Sequence, residues 1–194
     1  MTPIAPVVSK PMNISTTDDE ILAQLRQPHT TERGFRLLMQ TYQERLYWHI
    51  RRMVVEHEDA NDVLQNCLIK VYRNIGSFEG RSGLYTWLYR IATNEALTFL
   101  KQKKRKASAD LDDEEYDLAA TLRADPYFNG DEVQIKLQEA LERLPEKQRL
   151  VFQLRYFEEM PYRQMSQVLD TSEGALKASY HHAVKKIEQF MTQE

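Results

Sequence analysis

Three runs of this chain carry apolar residues three and four positions apart, a spacing that only a helix turns into one buried face. The first is Phe35, Leu38, Met39, Tyr42, Leu46, Ile50 and Met53, and the second is Ala60, Leu64, Cys67, Leu68, Val71 and Ile75. The third passes through Leu84, Trp87, Leu88, Ile91 and Phe99, and ends in the basic run Lys101 to Lys106. Between the second and third, Gly76-Ser77-Phe78-Glu79-Gly80-Arg81-Ser82-Gly83 breaks the pattern and predicts a loop, because its glycines accept unusual backbone angles. Only six glycines in 194 residues argue against a turn-rich β fold. An all-α chain is expected.

Ahead of these runs, residues 1–17 are rich in Pro, Ser and Thr without a hydrophobic period and are expected to be disordered. Asp18-Asp19-Glu20 then opens a short helix through Ile21, Leu22 and Leu25, with acids where the helix dipole favours them, and Pro28 ends it. Residues 107–131, with Asp110-Leu111-Asp112-Asp113-Glu114-Glu115, Asp125-Pro126 and Asn129-Gly130, read as a flexible acidic linker. A calcium loop is the sharper reading of that acid run, but the central Gly and terminal Glu are missing. Beyond it come helices over residues 133–144 and 146–157, a short one over 162–169 with Pro161 in its first turn, and a last one from Glu173 to about Met191. Asp170-Thr171-Ser172 forms the turn, with Ser172 as N-cap, so the last two helices make a helix-turn-helix unit. The expected organisation is a tail over 1–17, a helical domain over 18–106, the linker, and a DNA-binding domain over 132–194.

Charge follows the same divisions. Residues 33–106 carry 14 basic and 7 acidic side chains, net +7, whereas residues 107–132 carry 1 and 9, net −8. This segregation fits a polyanion-binding surface with a tethered counter-charge that competes for it; two solvated faces and a plain spacer are the alternatives. With 42% hydrophobic residues, no run approaches the length of a membrane span, and no signal-type stretch follows Lys10. Cys67 is the only cysteine, which excludes an internal disulfide or a thiolate metal cluster. A cytosolic protein without membrane insertion, metal or cofactor is expected.

On the last helix, Leu176, Tyr180, Ala183, Ile187 and Phe190 share one side and should pack inward. Gly174, Lys177, Ala178, His181 and Lys185 fall opposite, where small residues permit close approach to a major groove and lysines reach phosphate. His181-His182 offers no metal site, since neighbours diverge on a helix and no further ligand is evident. In the basic half, Phe78, Tyr85, Trp87 and Tyr89 lie among Arg81, Arg90 and the Lys101 to Lys106 run, the mixture that holds unstacked bases and their backbone. Trp87 also fits the apolar face as a core residue, while Phe78 has no helical face to join.

These residues resemble a known family. Phe35 to Arg105 is similar to the promoter-melting domain of an extracytoplasmic-function (ECF) sigma factor of RNA polymerase, through Asp59-Ala60-Asn61-Asp62-Val63-Leu64-Gln65, Ser77-Phe78-Glu79-Gly80 and Tyr85-Thr86-Trp87-Leu88-Tyr89-Arg90-Ile91-Ala92-Thr93-Asn94. Residues 133–190 resemble the family's C-terminal domain, through Leu144-Pro145-Glu146-Lys147-Gln148-Arg149 and Ser172-Glu173-Gly174-Ala175-Leu176-Lys177.

The resemblance implies a non-enzymatic factor that carries core RNA polymerase to promoter DNA and opens it. It implies that Asp62, Gln65 and Asn66 contact the β′ clamp helices, and that the glycine loop holds a base flipped from the downstream element. Phe78 and Asn94 would meet such bases, and Arg81, Tyr85, Arg90, Lys101, Lys103, Lys104 and Arg105 would guide the strand. Ser172, Gly174, Lys177, Ala178, His181 and Lys185 would serve the upstream, minus-thirty-five element. An anti-sigma protein is a further implied partner. Three positions depart from the family's pattern: Asn66 replaces a common glutamate, Glu159 stands in a turn that usually has glycine, and the last helix is poorer in arginine. A stand-alone helix-turn-helix regulator would explain the C-terminal half but not the aromatic, basic half. A recombinase or nuclease would need a nucleophile or clustered metal-binding carboxylates on a rigid scaffold.

Overall fold

The structure is a computed structural model that describes residues 14–107, 118–125 and 131–192. The described residues form α1 (Ile14–Leu25), α2 (Thr31–Val54), α3 (His57–Asn74), α4 (Leu84–Ala107), α5 (Leu118–Ala124), α6 (Glu132–Glu142), α7 (Glu146–Tyr156), α8 (Tyr162–Leu169) and α9 (Glu173–Thr192), with a single 3-10 turn at Ile75–Ser77. The helical periodicity therefore found its elements, and the glycine loop lies where the pattern broke. The acid run 110–115 and most of the tail lie outside the described residues.

Two elements differ from expectation. Helix α1 begins at Ile14, so Asp18 sits inside it rather than at its mouth. Its carboxylate accepts a hydrogen bond from the Tyr42 hydroxyl on α2, and this tertiary contact, not the helix dipole, accounts for its place. Burial raises the Asp18 pKa against the lowering influence of that bond. Gly34 lets α1 and α2 approach, since a Cβ there would stand 2.8 Å from the Leu25 nitrogen. The second difference is α5, a helix inside the expected linker, whose Ala119 and Leu122 are buried with Val55 and Ile135. Val55 has φ 69° and ψ −47°, and Glu56 N–H donates to the Val54 carbonyl at 2.9 Å, a tight reversal that β-branched residues seldom adopt. Its burial under α5 and α6 offsets that strain.

In the C-terminal half the punctuation worked as read, with one adjustment. Asp131 caps α6 by accepting from Gln134 N–H at 2.9 Å. Ser172 caps α9, its hydroxyl accepting from Ala175 N–H at 3.4 Å. Pro161 occupies the N-cap of α8 rather than its first turn, its carbonyl accepting from Gln164 and Met165 N–H. The chain reverses after α7 with Glu159 at φ 51° and after α8 with Asp170 at φ 48°. The Glu159 angle gives the physical reason why glycine suits that turn.

The two halves are packed together. Leu38, Tyr42, Leu46, Ile50, Val71, Leu88 and Ala92 share one buried cluster with Leu150, Val151, Leu154, Met165 and Val168 from the C-terminal half. A smaller core joins Ala140, Leu141, Leu144 and Phe152 to Ala183 and Ile187 of α9. No described helix is long and apolar enough to cross a membrane.

Candidate nucleic-acid interface

Helix α4 turns the basic run into a ribbon. At about 100° per residue, Trp87, Arg90, Asn94, Lys101 and Arg105 fall within roughly 60° of one another. Arg90, Asn94, Lys101 and Arg105 are exposed, and Trp87 is half-buried at the end nearest the glycine loop. Phe78 leans on Trp87, with ring centroids 5.3 Å apart, so the loop presents an aromatic surface already fixed in place. Gly80 turns the chain at φ 71°, and both rings are half-buried against the main core. Arg81 pairs with Glu79 at 2.5 Å inside the same loop, with side chains 87% and 63% exposed, so solvent screens the pair and it yields readily to a phosphate. Ser77, Phe78, Arg81, Trp87 and Arg90 line one wall of a cleft, and Ser166, Gln167 and Asp170 line the other.

Not every expected strand contact joins this ribbon. Lys103 lies about 140° around α4 from Arg90, and its ammonium donates to Glu56 and Asp59, each at 2.7 Å. Those carboxylates raise its pKa against the lowering effect of burial. Lys103 therefore ties α4 to the start of α3. Tyr85 is half-buried, its ring 4.4 Å from Tyr89 and under the Arg45 guanidinium at 5.2 Å. Its hydroxyl donates to the Glu158 carbonyl at 3.5 Å. Burial pushes that hydroxyl's pKa well above its ordinary value. Lys104 is exposed at the ribbon's edge.

Helix α9 divides as its periodicity requires: Leu176, Ala183 and Ile187 are buried, and Tyr180 and Phe190 half-buried. Gly174, Lys177, Ala178, His181 and Lys185, with the Ser172 cap, are all exposed. Lys177 stands 5.7 Å above the Tyr162 ring, which Arg155 also covers at 5.1 Å. That contact holds the ammonium end of the lysine beside α8. The His181 and His182 rings are 6.0 Å apart, and no group of three potential metal ligands occurs among the described residues.

A third surface lies on α3. Asp62, Gln65 and Asn66 are exposed on one stripe. The structure adds Ile69 and Tyr72, 41% and 56% exposed, at the next positions of that stripe. Their spacing from Asp62 carries the signal, but large apolar side chains are ordinarily assigned to a core.

The chain matches two family descriptions in order, sigma-70 region 2 over residues 38–106 and sigma-70 region 4 over residues 134–187. It is 31% identical over 180 residues to the ECF RNA polymerase sigma-E factor of Haemophilus influenzae, covering 89% of this chain and 94% of that protein. The chain belongs to the ECF sigma factors. A second relative, the RNA polymerase sigma-H factor of Pseudomonas aeruginosa, is 32% identical over 168 residues, covering 81% of this factor and 86% of its own length. The fold agrees with two solved structures. One is the sigma factor RpoE in complex with the anti-sigma factor NepR from Bartonella quintana, with TM-score 0.70, 20% identity and coverage of 82% of this chain and 98% of that one. The other is CnrH in complex with the cytosolic domain of CnrY, with TM-score 0.68, 19% identity and coverage of 90% and 97%. The protein is thus a sigma factor that recognises promoter DNA and initiates transcription with RNA polymerase, and sigma factors are not a family of enzymes.

Proposed function

We propose that three surfaces divide the work of initiation. The α3 stripe of Asp62, Gln65 and Asn66, extended by Ile69 and Tyr72, docks on the β′ clamp helices of core polymerase. The loop from Gly76 to Gly83 takes a flipped base of the downstream element, with Phe78 as stacking partner and Asn94 beside it. Arg90, Lys101, Lys104 and Arg105 then carry the separated backbone along α4. The upstream element lies as duplex on α9, where Lys177 and Lys185 reach phosphates and His181 a base edge.

The observation that carries this reading is the continuity of Phe78, Trp87, Arg90, Asn94, Lys101 and Arg105 along one face. Stacking surface at one end and cations along the rest suit a strand whose first base has left the helix. A stand-alone duplex regulator has no use for that face. The factor works in the cytoplasm, where polymerase and promoter meet, and the anti-sigma complexes of the two structural neighbours support a regulatory partner of that kind.

Co-purification with core polymerase separates the surfaces. Asp62→Ala with Gln65→Ala should reduce recovery with core and leave random-sequence duplex binding by the full-length factor unchanged. Asn94→Ala should leave both unchanged and instead slow open-complex formation. Normal core recovery in the α3 double variant would remove the docking assignment.

A further inference from the structure

Glu158 belongs to the turn after α7, in the C-terminal half, yet both of its carboxylate oxygens are taken by the N-terminal half. One accepts from the Arg52 guanidinium at 2.9 Å, and the other from the Tyr89 hydroxyl. Its side chain is only 7% exposed and that of Arg52 27%, so the acid is withdrawn from solvent while its partner is half-buried. Arg52 is engaged further. Its guanidinium lies over the Phe157 ring at 4.4 Å, and its carbonyl accepts from the Gln153 amide at 2.7 Å. Tyr85 donates to the Glu158 carbonyl, so acid, backbone and neighbouring ring are all seated in the first domain.

This seating has a consequence for the glycine loop. With Glu158 plugged between α2 and α4, helix α8 lies along α4 and supplies Ser166, Gln167 and Asp170 as the far wall of the cleft beside Phe78, Arg81 and Arg90. A strand entering that cleft meets α8 and the Asp170 carboxylate. Helix α9 is unaffected, since its outward residues stay exposed.

We propose that Glu158 latches the free factor in a closed state, in which α8 and Asp170 narrow the approach to the downstream loop as the far wall of its cleft, and that the latch must open before the loop takes up DNA. The proposal rests on the downstream role given to that loop above. Closing lowers apparent affinity for the downstream strand by the fraction of molecules that are open, while upstream duplex binding is not affected. A partner that binds the open form better shifts the same equilibrium.

The test uses full-length protein with two readouts. Small-angle scattering of the wild type should give a radius of gyration near the ~16 Å of a compact chain of this length. Glu158→Arg, which sets two cations against each other, should expand it. The same variant should bind a single-stranded random oligonucleotide of about 12 nucleotides tenfold or more tightly, with random duplex binding changed little. Combining Glu158→Arg with Arg52→Glu should reverse part of both changes. If Glu158→Arg does not fold by circular dichroism, Tyr89→Phe with Arg52→Met removes both donors and leaves the C-terminal sequence intact. A folded variant with unchanged radius overturns the latch. Expansion without a gain in single-strand affinity overturns the claim that closure excludes DNA, and open-complex assays of Asn94→Ala then judge the loop's role separately.

Discussion

Phe78 rests on Trp87 with their ring planes inclined by 56°, so the aromatic surface of the glycine loop is held by a half-buried residue of α4 before any DNA arrives. Pre-fixed rings lose little conformational entropy when a base stacks on them. Phe78→Ala should therefore reduce open-complex formation by the worth of one stacked base, roughly 1–3 kcal/mol, with core polymerase binding unchanged. Permanganate reactivity of promoter thymines reads this directly. A pre-melted promoter should restore part of the signal, and full reactivity in the variant on duplex promoter would refute the role.

Lys103 and Lys101 stand two positions apart but should behave differently. Lys101→Ala should weaken single-strand binding and reduce the slope of log affinity against log salt by about 0.7. Lys103→Ala should leave that slope nearly unchanged and lower the melting temperature instead, because its ammonium joins Glu56 and Asp59. Equal salt slopes for the two variants would show that Lys103 leaves its carboxylates when DNA binds.

These two lysines also show how far the sequence could be read. The periodicity of α2, α3, α4 and α9 placed the buried faces, because a helix converts spacing into direction without help from the rest of the chain. The same arithmetic puts Lys103 opposite Arg90, yet a run of basic residues reads as one patch until it is wound onto a helix. Asp18, Tyr85 and Glu158 were out of reach for another reason. Their partners, Tyr42, Glu158 and Arg52, lie 24, 73 and 106 positions away. Nothing local distinguishes a carboxylate that plugs into another domain from one that faces water. Helix α5 was hidden because its short apolar set is buried by Val55 and Ile135, not by a pattern of its own.

Glu159 adopts φ 51° with an exposed side chain. A left-handed backbone costs an ordinary residue about 1–2 kcal/mol. Glycine removes that cost but gives back about 0.5–1 kcal/mol through the freedom of the unfolded chain. Glu159→Gly should then stabilise the factor by up to about 1 kcal/mol in urea denaturation. A destabilised variant would mean that the Glu159 side chain makes a contact worth more than the strain.

His49 is fully buried, shares a hydrogen bond of 2.9 Å with Thr93, and has its pKa lowered to about 3 by burial and then by the Arg52 charge. The unfolded chain binds a proton near the ordinary value of about 6.5, whereas the folded one does not. The stability this histidine contributes is therefore complete above pH ~6.5 and is lost as pH falls toward 3, at up to ~1.4 kcal/mol per unit. Between pH 6.5 and 5, unfolding of the wild type should lose as much as ~2 kcal/mol, and of His49→Gln distinctly less. Parallel pH profiles would mean that His49 takes up its proton in the folded state.

This sigma factor is expected to select promoters only as part of a polymerase holoenzyme, with its base-reading divided between two domains whose spacing core enzyme sets. Footprinting of one promoter, found by sequencing DNA bound to the reconstituted holoenzyme, tests it with and without core. Protection over both upstream and downstream elements is expected with core present. With the factor alone at the same concentration, no sequence-specific footprint is expected. A tight, sequence-specific footprint from the free factor would contradict it.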